Sequence, residues 1–515
     1  MESQLSSQVK ALKNKYELSD EVLSEFYNYR DYKQFYPRWM ELRVLVNRFI
    51  KKHLMSEGSK ISRLLEVGSD PRIPLANYKG YVGSNVEYVS SNVHKEVDKC
   101  YDLERTYLED SEEYDCVICT EVLEHLKKPE QAIFNIRRML RPNGLLLLTV
   151  PVCFRIHGKD YQRLLPDGIL KLLNETGFVV EELLYDDVLV EDNMPLSIRI
   201  AARKIIKPSI LFLGAGMKYD HLRYFIPYAR VLTTDTLKYA PTRFICDKSI
   251  ITSDFNSESF SEELKNIIKR EKIDIVIPTS HYSLFYIYKN RERIEKTGTF
   301  VLTSDNATLA KTLDKIKMND HLMLNSFNVP VTYDNPEMVK KYPVILKPIS
   351  GTSSNGVQIV KDVEQLRYHL KHSDGDMMIQ EFIEGIEYTV DVYCNPDGSV
   401  VSIVPRIRME IQAGLSIKSR TVRDEKLICC IDRYCKSNVF IGPICIQVIV
   451  DNNGNIFFID VNPRMGGTTN LSMEAGLNMP KFIIANFEGH ICKPDDTWRN
   501  DLVLSRYYGG IYYEE

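Results

Sequence analysis

Nowhere in its 515 residues does the sequence reach the roughly 18 consecutive apolar residues that a bilayer-crossing helix needs. The first twenty residues, MESQLSSQVKALKNKYELSD, hold no apolar core behind a basic start, so neither secretion nor a membrane partner is expected. Excess charge of either sign is also missing. The 66 basic residues face 70 acidic ones, a formal charge of −4, which leaves no global field to hold a polyanion and argues against nucleic acid as a partner. The 11 cysteines are odd in number and scattered, as expected of a cytoplasmic chain and not of a disulfide framework. Cys116 and Cys119 form a CxxC within YDCVICT, but strand alternation sends them to opposite faces, which favours packing over zinc.

What is present reads as several folded domains. Hydrophobic residues make up 44% and charged residues 26%, the balance of soluble globular proteins, and the length is too great for one packed core. Residues 1–59 carry helical periodicity in LSDEVLSEFYNYR and PRWMELRVLVNRFIKKHL, with Ser19 or Asp20 as a cap for the first helix and Pro37 opening the second. From 60 to 206, short apolar runs alternate with helical stretches, predicting a doubly wound, Rossmann-like parallel sheet. RKIIKP closes that unit, and a second alternating α/β unit spans 207–304. Residues 305–515 are rich in β-branched residues and turns, predicting α+β architecture with antiparallel hairpins. The fold class is therefore multidomain α/β.

The last third holds a constellation of polar residues. PVILKPISGTSSNGVQIVK places Lys347 at the end of an apolar strand, before a loop of small hydroxylated residues and glycine. Such a loop can close over phosphate oxygens, or be a plain hairpin loop. In MIQEFIEGIEYTVDVYC, Glu381, Glu384 and Glu387 stand at strand ends, where a carboxylate can accept ribose hydroxyls or simply be solvated. GPICIQVIVDNNGNIFFIDVNPRMGG is more telling, because DNNGN joins two strongly apolar strands that polar residues interrupt. A hairpin closed near Asp451 to Ile456 puts Gln447 opposite Asp460 within about one residue, and alternation puts Asn462 on the same face. Three oxygen-bearing side chains converge there, the ligand type that Mg²⁺ prefers, and Arg464 can reach an anion on the same side.

With these motifs in order, residues 305–512 resemble the ATP-grasp superfamily, in its branch similar to the carbamoyl phosphate synthase large subunit and carboxylate-amine ligases. The unit from about 207 resembles the pre-ATP-grasp domain. The resemblance implies ATP phosphate contacts at Lys315 and Lys347, adenine contacts at Glu381 and the backbone of Ile383, and a ribose contact at Glu387. It implies Mg²⁺ at Gln447, Asp460 and Asn462, with Arg464 steadying an acyl phosphate. Arg406 and Arg408, in VPRIRMEIQAGLSIKSRTV, fall in the segment resembling the substrate-facing region, where they would grip a carboxylate or lie as surface charges. Many relatives have glutamate at both principal metal positions, so Gln447 and Asp460 predict weaker metal affinity. Gly214 and Gly216 in LFLGAGMKYD are followed by Tyr219 where a dinucleotide fingerprint has its third glycine, so that stretch is expected to serve a tight turn.

RLLEVGSDPRIP, YKGYVGSN and YDCVICTEVLEHLKKPEQAIFNIRRMLRPNGLLLLTVP resemble a class I S-adenosylmethionine-dependent methyltransferase over about 60–205. The resemblance implies S-adenosylmethionine held near Glu66 and Gly68, with Asn85 at the end of the second strand, where relatives carry an acid for the ribose. The loop after Gly68 has no second glycine, which together with Asn85 predicts weak binding of that cofactor. The expected function is a cytoplasmic, ADP-forming ligase joining a small-molecule carboxylate to an amine, fused to a methyltransferase-like domain of the same pathway, with homodimerisation left open. A methyltransferase regulated by an ATP-binding sensor is the second enzyme reading. A non-enzymatic assembly protein is the third, and the polar hairpin argues against it.

Overall fold

The computed structural model describes residues 10–28, 38–70, 75, 78–93, 97–105, 111–152, 161, 163–185, 197–204, 208–349, 356–373, 375–412, 414–507 and 509–512. The chain divides into two compact units, Met1–Lys207 with Ile511–Glu515, and Pro208–Gly510. No helix of the described residues is long and apolar enough to cross a membrane.

The first unit opens with helices over 10–16, Asp20–Asn28 and Arg38–Glu57. Ser19 caps the second of these, its Oγ accepting from Val22 N at 3.3 Å, whereas Pro37 lies outside the described residues. Seven strands follow: β1 (Arg63–Val67), β2 (Glu87–Asn92), β3 (Lys99–Cys100), β4 (Tyr114–Thr120), β5 (Leu140–Pro151), β6 (Phe178–Tyr185) and β7 (Ser197–Lys204). They form one sheet in the order β3-β2-β1-β4-β5-β7-β6. The sheet is parallel except for β7, which runs antiparallel to both β5 and β6. That reversal departs from the parallel sheet expected from the alternating pattern. β1 and β4 are buried on both faces, as their near-continuous apolar runs require. Cys116 and Cys119 pack into cores on opposite sides, Cys116 with the helix Arg38–Glu57 and Cys119 with the helix Pro129–Met139.

The second unit combines three sheets. A parallel sheet of β8 (Ser209–Leu213), β9 (Arg230–Asp235), β10 (Lys248–Ile251), β11 (Ile275–Pro278) and β12 (Phe300–Val301) has the order β10-β9-β8-β11-β12. An antiparallel sheet follows from β13 (Thr332–Tyr333), β14 (Val344–Pro348), β15 (Gln358–Val360) and β16 (Met377–Glu381), in the order β13-β16-β14-β15. The third comprises β17 (Gly385–Cys394), β18 (Val400–Gln412), β19 (Leu415–Thr421), β20 (Gly442–Asp451), β21 (Ile456–Asn462) and β22 (Val503–Ser505), in the order β21-β20-β17-β18-β19-β22.

Alternation divides this third sheet into two chemically different faces. Val390, Val392, Ile446, Val448 and Val461 join the buried core with Leu427 and Ile431 of the helix Glu425–Lys436. The other face carries Glu387, Thr389, Arg406, Arg408, Gln447, Asp460 and Asn462. A polar sheet face is costly if sealed in a core, and this one is not sealed. It forms a wall of a cavity.

Candidate active site

The cavity, of about 620 Å³, lies within the second unit and falls in the size range of small-molecule sites. Its floor is the polar face of the third sheet, and its walls come from the two smaller sheets.

The β20–β21 hairpin sets the central group. Asp451 organises the turn, with Oδ1 accepting from Asn453 N at 2.9 Å and Asn455 N at 2.7 Å. Val450 pairs with Ile456 and Val448 with Phe458, but Gln447 pairs with Asp460, because a bulge sets Ile459 aside. The extra residue changes which side faces the core: Phe458 is buried in it, while Asp460 turns to the cavity. Asn462 Nδ2 donates to Asp460 Oδ2 at 2.7 Å, and Gln447 Nε2 donates to Glu387 Oε1 at 3.1 Å. Arg464 Nη2 donates to Asn462 Oδ1 at 3.3 Å.

Two lysines face this group. Lys347, on β14, is 5% exposed, and its Nζ donates to the carbonyl of Ile459 at 3.4 Å. Burial lowers its pKa to about 8, with Asp460 opposing the shift and Lys315 adding to it. Lys315 opens the helix Lys315–Leu324, which Asp314 caps by accepting from Ile316 N and Lys317 N. Its Nζ donates to Ile349 O at 3.4 Å. Glu381 ends β16 and accepts from Val331 N at 3.3 Å, with Ile383 beside it on the cavity wall. The glycine and serine loop over 350–355 lies outside the described residues.

Arg406 and Arg408 both line the cavity but differ in their partners. Arg408 donates Nη1 to Glu387 Oε1 at 2.5 Å, Nε to Ser416 Oγ at 3.0 Å and Nη2 to Gly414 O at 2.8 Å. Its guanidinium thus spends three donors on the protein while lining the cavity. Arg406 is buried and pairs through Nε with Asp391 Oδ2 at 2.7 Å. Its Nη2 is buried at the cavity with no hydrogen-bond partner among the described residues.

The wall supplied by the five-stranded sheet was not expected from the sequence. Gly214 and Gly216 do form a tight turn after β8, at φ +64° and +48°, but the turn also lines the cavity and delivers Lys218 to it. Lys218 Nζ and His221 Nε2 both donate to Gly466 O, at 3.0 Å each. Arg506 Nη2 donates to Gly467 O and to Asn470 Oδ1, at 3.0 Å each. His281, at the start of the helix His281–Glu295, completes this side; burial, Arg464 and Lys315 lower its pKa.

In the first unit, Glu66 on β1 is 3% exposed and accepts from Tyr88 Oη. Burial raises its pKa to about 7, against hydrogen bonds from Tyr88 and Ser69 and the charge of Arg43. Gly68 has φ +75°, and a Cβ there would stand 2.4 Å from Val122 Cγ2. Asn85 is a correction. The second strand is Glu87–Asn92, so Asn85 precedes it, exposed, and cannot stand at its carboxyl end. YKGYVGSN looks strand-like in composition, but Lys79–Tyr81 forms a 3₁₀ turn. The residue at that end is Asn92, whose Nδ2 donates to Ser69 O at 2.9 Å and whose Oδ1 accepts from Val93 N at 2.7 Å.

The buried Glu66 gives a testable pH dependence. Its folded pKa of about 7 exceeds its ordinary 4.5, so the folded state binds more protons between these values, and stability falls as pH rises through that window. The contribution is at most about 3 kcal/mol, present in full below the lower value and lost above the higher. Thermal unfolding of Glu66→Gln is expected to show a gain at pH 8 and little change at pH 5. An equal change at both values would refute the charge-burial origin.

Comparison with known families agrees with this division. A family model for an ATP-grasp domain matches residues 312–468, one for a PylC-like N-terminal domain matches 210–302, and one for a methyltransferase domain matches 36–181. The chain joins an ATP-grasp domain to a methyltransferase domain. The chain is 30% identical over 162 residues to a D-alanine–D-alanine ligase of Aquifex aeolicus, covering 28% of this chain and 55% of that protein. A carbamoyl phosphate synthase large chain of Clostridium perfringens is 25% identical over 316 residues, covering 55% of this chain and 28% of that protein. The chain thus spans about half of the first relative and little more than a quarter of the second. Among solved structures, the biotin carboxylase domain of a Hydrogenobacter thermophilus 2-oxoglutarate carboxylase matches with 13% identity and a TM-score of 0.49, covering 57% of this chain and 73% of that one.

Proposed function

We propose that the chain is an ATP-dependent, ADP-forming ligase that joins a carboxylate to an amine through an acyl phosphate. The observation carrying this is the meeting, in one cavity of an ATP-grasp domain, of Lys315, Lys347, Gln447, Asp460, Asn462 and Arg464. Lys315 and Lys347 supply positive charge for the phosphates, and Glu381, Ile383 and Glu387 would meet the nucleoside. Glu387 keeps one oxygen for that task, since Oε1 is taken by Arg408 and Gln447.

Gln447, Asp460 and Asn462 fit Mg²⁺. The amide nitrogens of Gln447 and Asn462 are turned to Glu387 and Asp460, which leaves Gln447 Oε1 and Asp460 Oδ1 for a hard cation, while Asn462 Oδ1 would share one with Arg464 Nη2, 3.3 Å away. Bound there, the ion would neutralise charge on the β- and γ-phosphates.

A substrate carboxylate oxygen attacks the γ-phosphorus in line, and the bond to the β-phosphate oxygen breaks with its electron pair leaving on ADP. Lys347 and Arg464 face the charge that develops. The amine nitrogen then attacks the acyl carbon, the carbon–oxygen bond breaks, and phosphate departs, taking up the proton the nitrogen sheds. The test is incubation of the full chain with ATP, Mg²⁺ and pools of carboxylates and amines. ADP release dependent on both pools is expected; AMP would instead indicate adenylation.

The methyltransferase domain is proposed to bind S-adenosylmethionine weakly and to act in the same pathway. Glu66 is held by Tyr88, and both polar atoms of Asn92 are already engaged, so neither residue offers a free carboxylate to the ribose. Calorimetry on the full chain is expected to give a Kd weaker than about 1 μM, a binding free energy smaller than about 8 kcal/mol. Tighter binding would overturn this account.

A further inference from the structure

The turn that follows β21 is anchored from three sides at Gly466. Its carbonyl accepts from Lys218 Nζ and from His221 Nε2, at 3.0 Å each. Its N–H donates to Thr469 Oγ1 at 2.8 Å, and that hydroxyl donates in turn to Asp391 Oδ1 at 2.7 Å. Asp391 is fully buried and is itself fixed by Arg406 and Ser472. On the third side the turn lies against β20, since a Cβ at residue 466 would stand 2.6 Å from Cys445 Sγ.

Arg464 hangs on the same backbone. Its Nη1 donates to the carbonyl of Met465 at 2.9 Å. That carbonyl and the N–H of Gly466 belong to one planar peptide unit, so whatever turns the N–H also turns the oxygen that holds the guanidinium. Thr469 fixes this unit. The next unit, which carries the Gly466 carbonyl, is fixed by Lys218 and His221.

Of these anchors His221 is the one that costs the fold most. It is 2% exposed, and its Nδ1 is buried with no hydrogen-bond partner among the described residues. Burial, then the charge of Lys218, push its pKa well below the ordinary value, so the ring is neutral. With Nε2–H donating to a carbonyl, Nδ1 keeps an unmet lone pair. A carbon ring would fill the space without that loss. What the imidazole adds is an N–H that brings no further charge beside Lys218, Arg464 and Arg506.

Building on the ligase function proposed above, we infer that His221 is a positioning residue for formation of the acyl phosphate. By holding the Gly466 carbonyl it keeps the turn, and with it Arg464, aimed at the charge that develops on the transferred phosphoryl group. His221 stands behind the cavity wall, so its effect passes wholly through Arg464.

The test measures kcat, KM for ATP and Tm on the full chain for His221→Phe and His221→Gln, with the carboxylate and amine found by ADP release. Phenylalanine keeps a ring but removes the N–H; kcat is expected to fall at least about tenfold, with KM for ATP within about twofold of the parent and Tm no lower. Glutamine returns an N–H near the place of Nε2 and should bring kcat back to within about threefold. In an Arg464→Ala background, His221→Phe should cost less than about twofold, because the group it aims is gone. Three results would overturn the inference: kcat of His221→Phe within about twofold of the parent, a loss of about tenfold repeated in the Arg464→Ala background, or a loss that comes with a lower Tm and is not recovered by glutamine. Absence of ADP with every pool would sink the ligase function instead. Hydrogen exchange over residues 465–469 then decides whether His221 holds the turn: exchange at least about tenfold faster in His221→Phe sustains it, and unchanged exchange overturns it.

Discussion

Lys347→Ala is expected to lower ATP turnover by about 10²–10³-fold or more, the loss typical of removing one charge-stabilising group from a transition state. The magnitude follows from where the ammonium sits. It is 5% exposed, beside Asp460, with the carbonyl of Ile459 at 3.4 Å holding it toward the centre of the cavity. Water cannot replace a charge so enclosed at low cost. Both nucleotide affinity and kcat should fall, and added metal should restore neither. Because the free protein's Lys347 titrates near pH 8, ATP affinity of the parent should also weaken as pH rises past that value, when the lysine loses its charge.

Asp460→Asn is expected to produce a comparable loss of turnover for a different reason. Asparagine keeps the shape and can still accept from Asn462 Nδ2, which lies 2.7 Å from Asp460 Oδ2. What goes is the one carboxylate of the Gln447, Asp460 and Asn462 set, and with it the charge that makes a hard-cation site favourable. Raised Mg²⁺, or Mn²⁺ with its greater affinity for such ligands, should recover part of the activity in this variant and none in Lys347→Ala. Equal rescue of both variants, or turnover within about threefold of the parent in either, a barrier change near 0.65 kcal/mol, would separate these residues from the chemistry.

The site was legible in the sequence where local rules govern it. DNNGN between two apolar runs announces a hairpin, and alternation brings Gln447, Asp460 and Asn462 to one face. The bulge at Ile459 was not legible, since nothing in the run IFFIDVN marks which residue the ladder sets aside, and the carbonyl it presents to Lys347 comes from a distant strand pairing. Lys218 and His221 were illegible for a related reason. They meet Gly466 across some 245 residues of chain, and nothing local in GAGMKYDHL signals that approach. Asn85 failed because YKGYVGSN has strand-like composition, yet two glycines and a 3₁₀ turn occupy it. The reversed strand β7 was overlooked because SIRIAARK carries the same apolar signature whichever way it runs, and direction is decided by its neighbours β5 and β6.

The central claim, an acyl phosphate formed from the substrate carboxylate, is tested most directly by isotope transfer. The carboxylate identified by ADP release is labelled in its oxygens with ¹⁸O and incubated with the full chain, ATP, Mg²⁺ and the matching amine. The account predicts one labelled oxygen in each released inorganic phosphate and unlabelled ADP. Amide product accompanied by unlabelled phosphate, or label appearing in AMP, would contradict it.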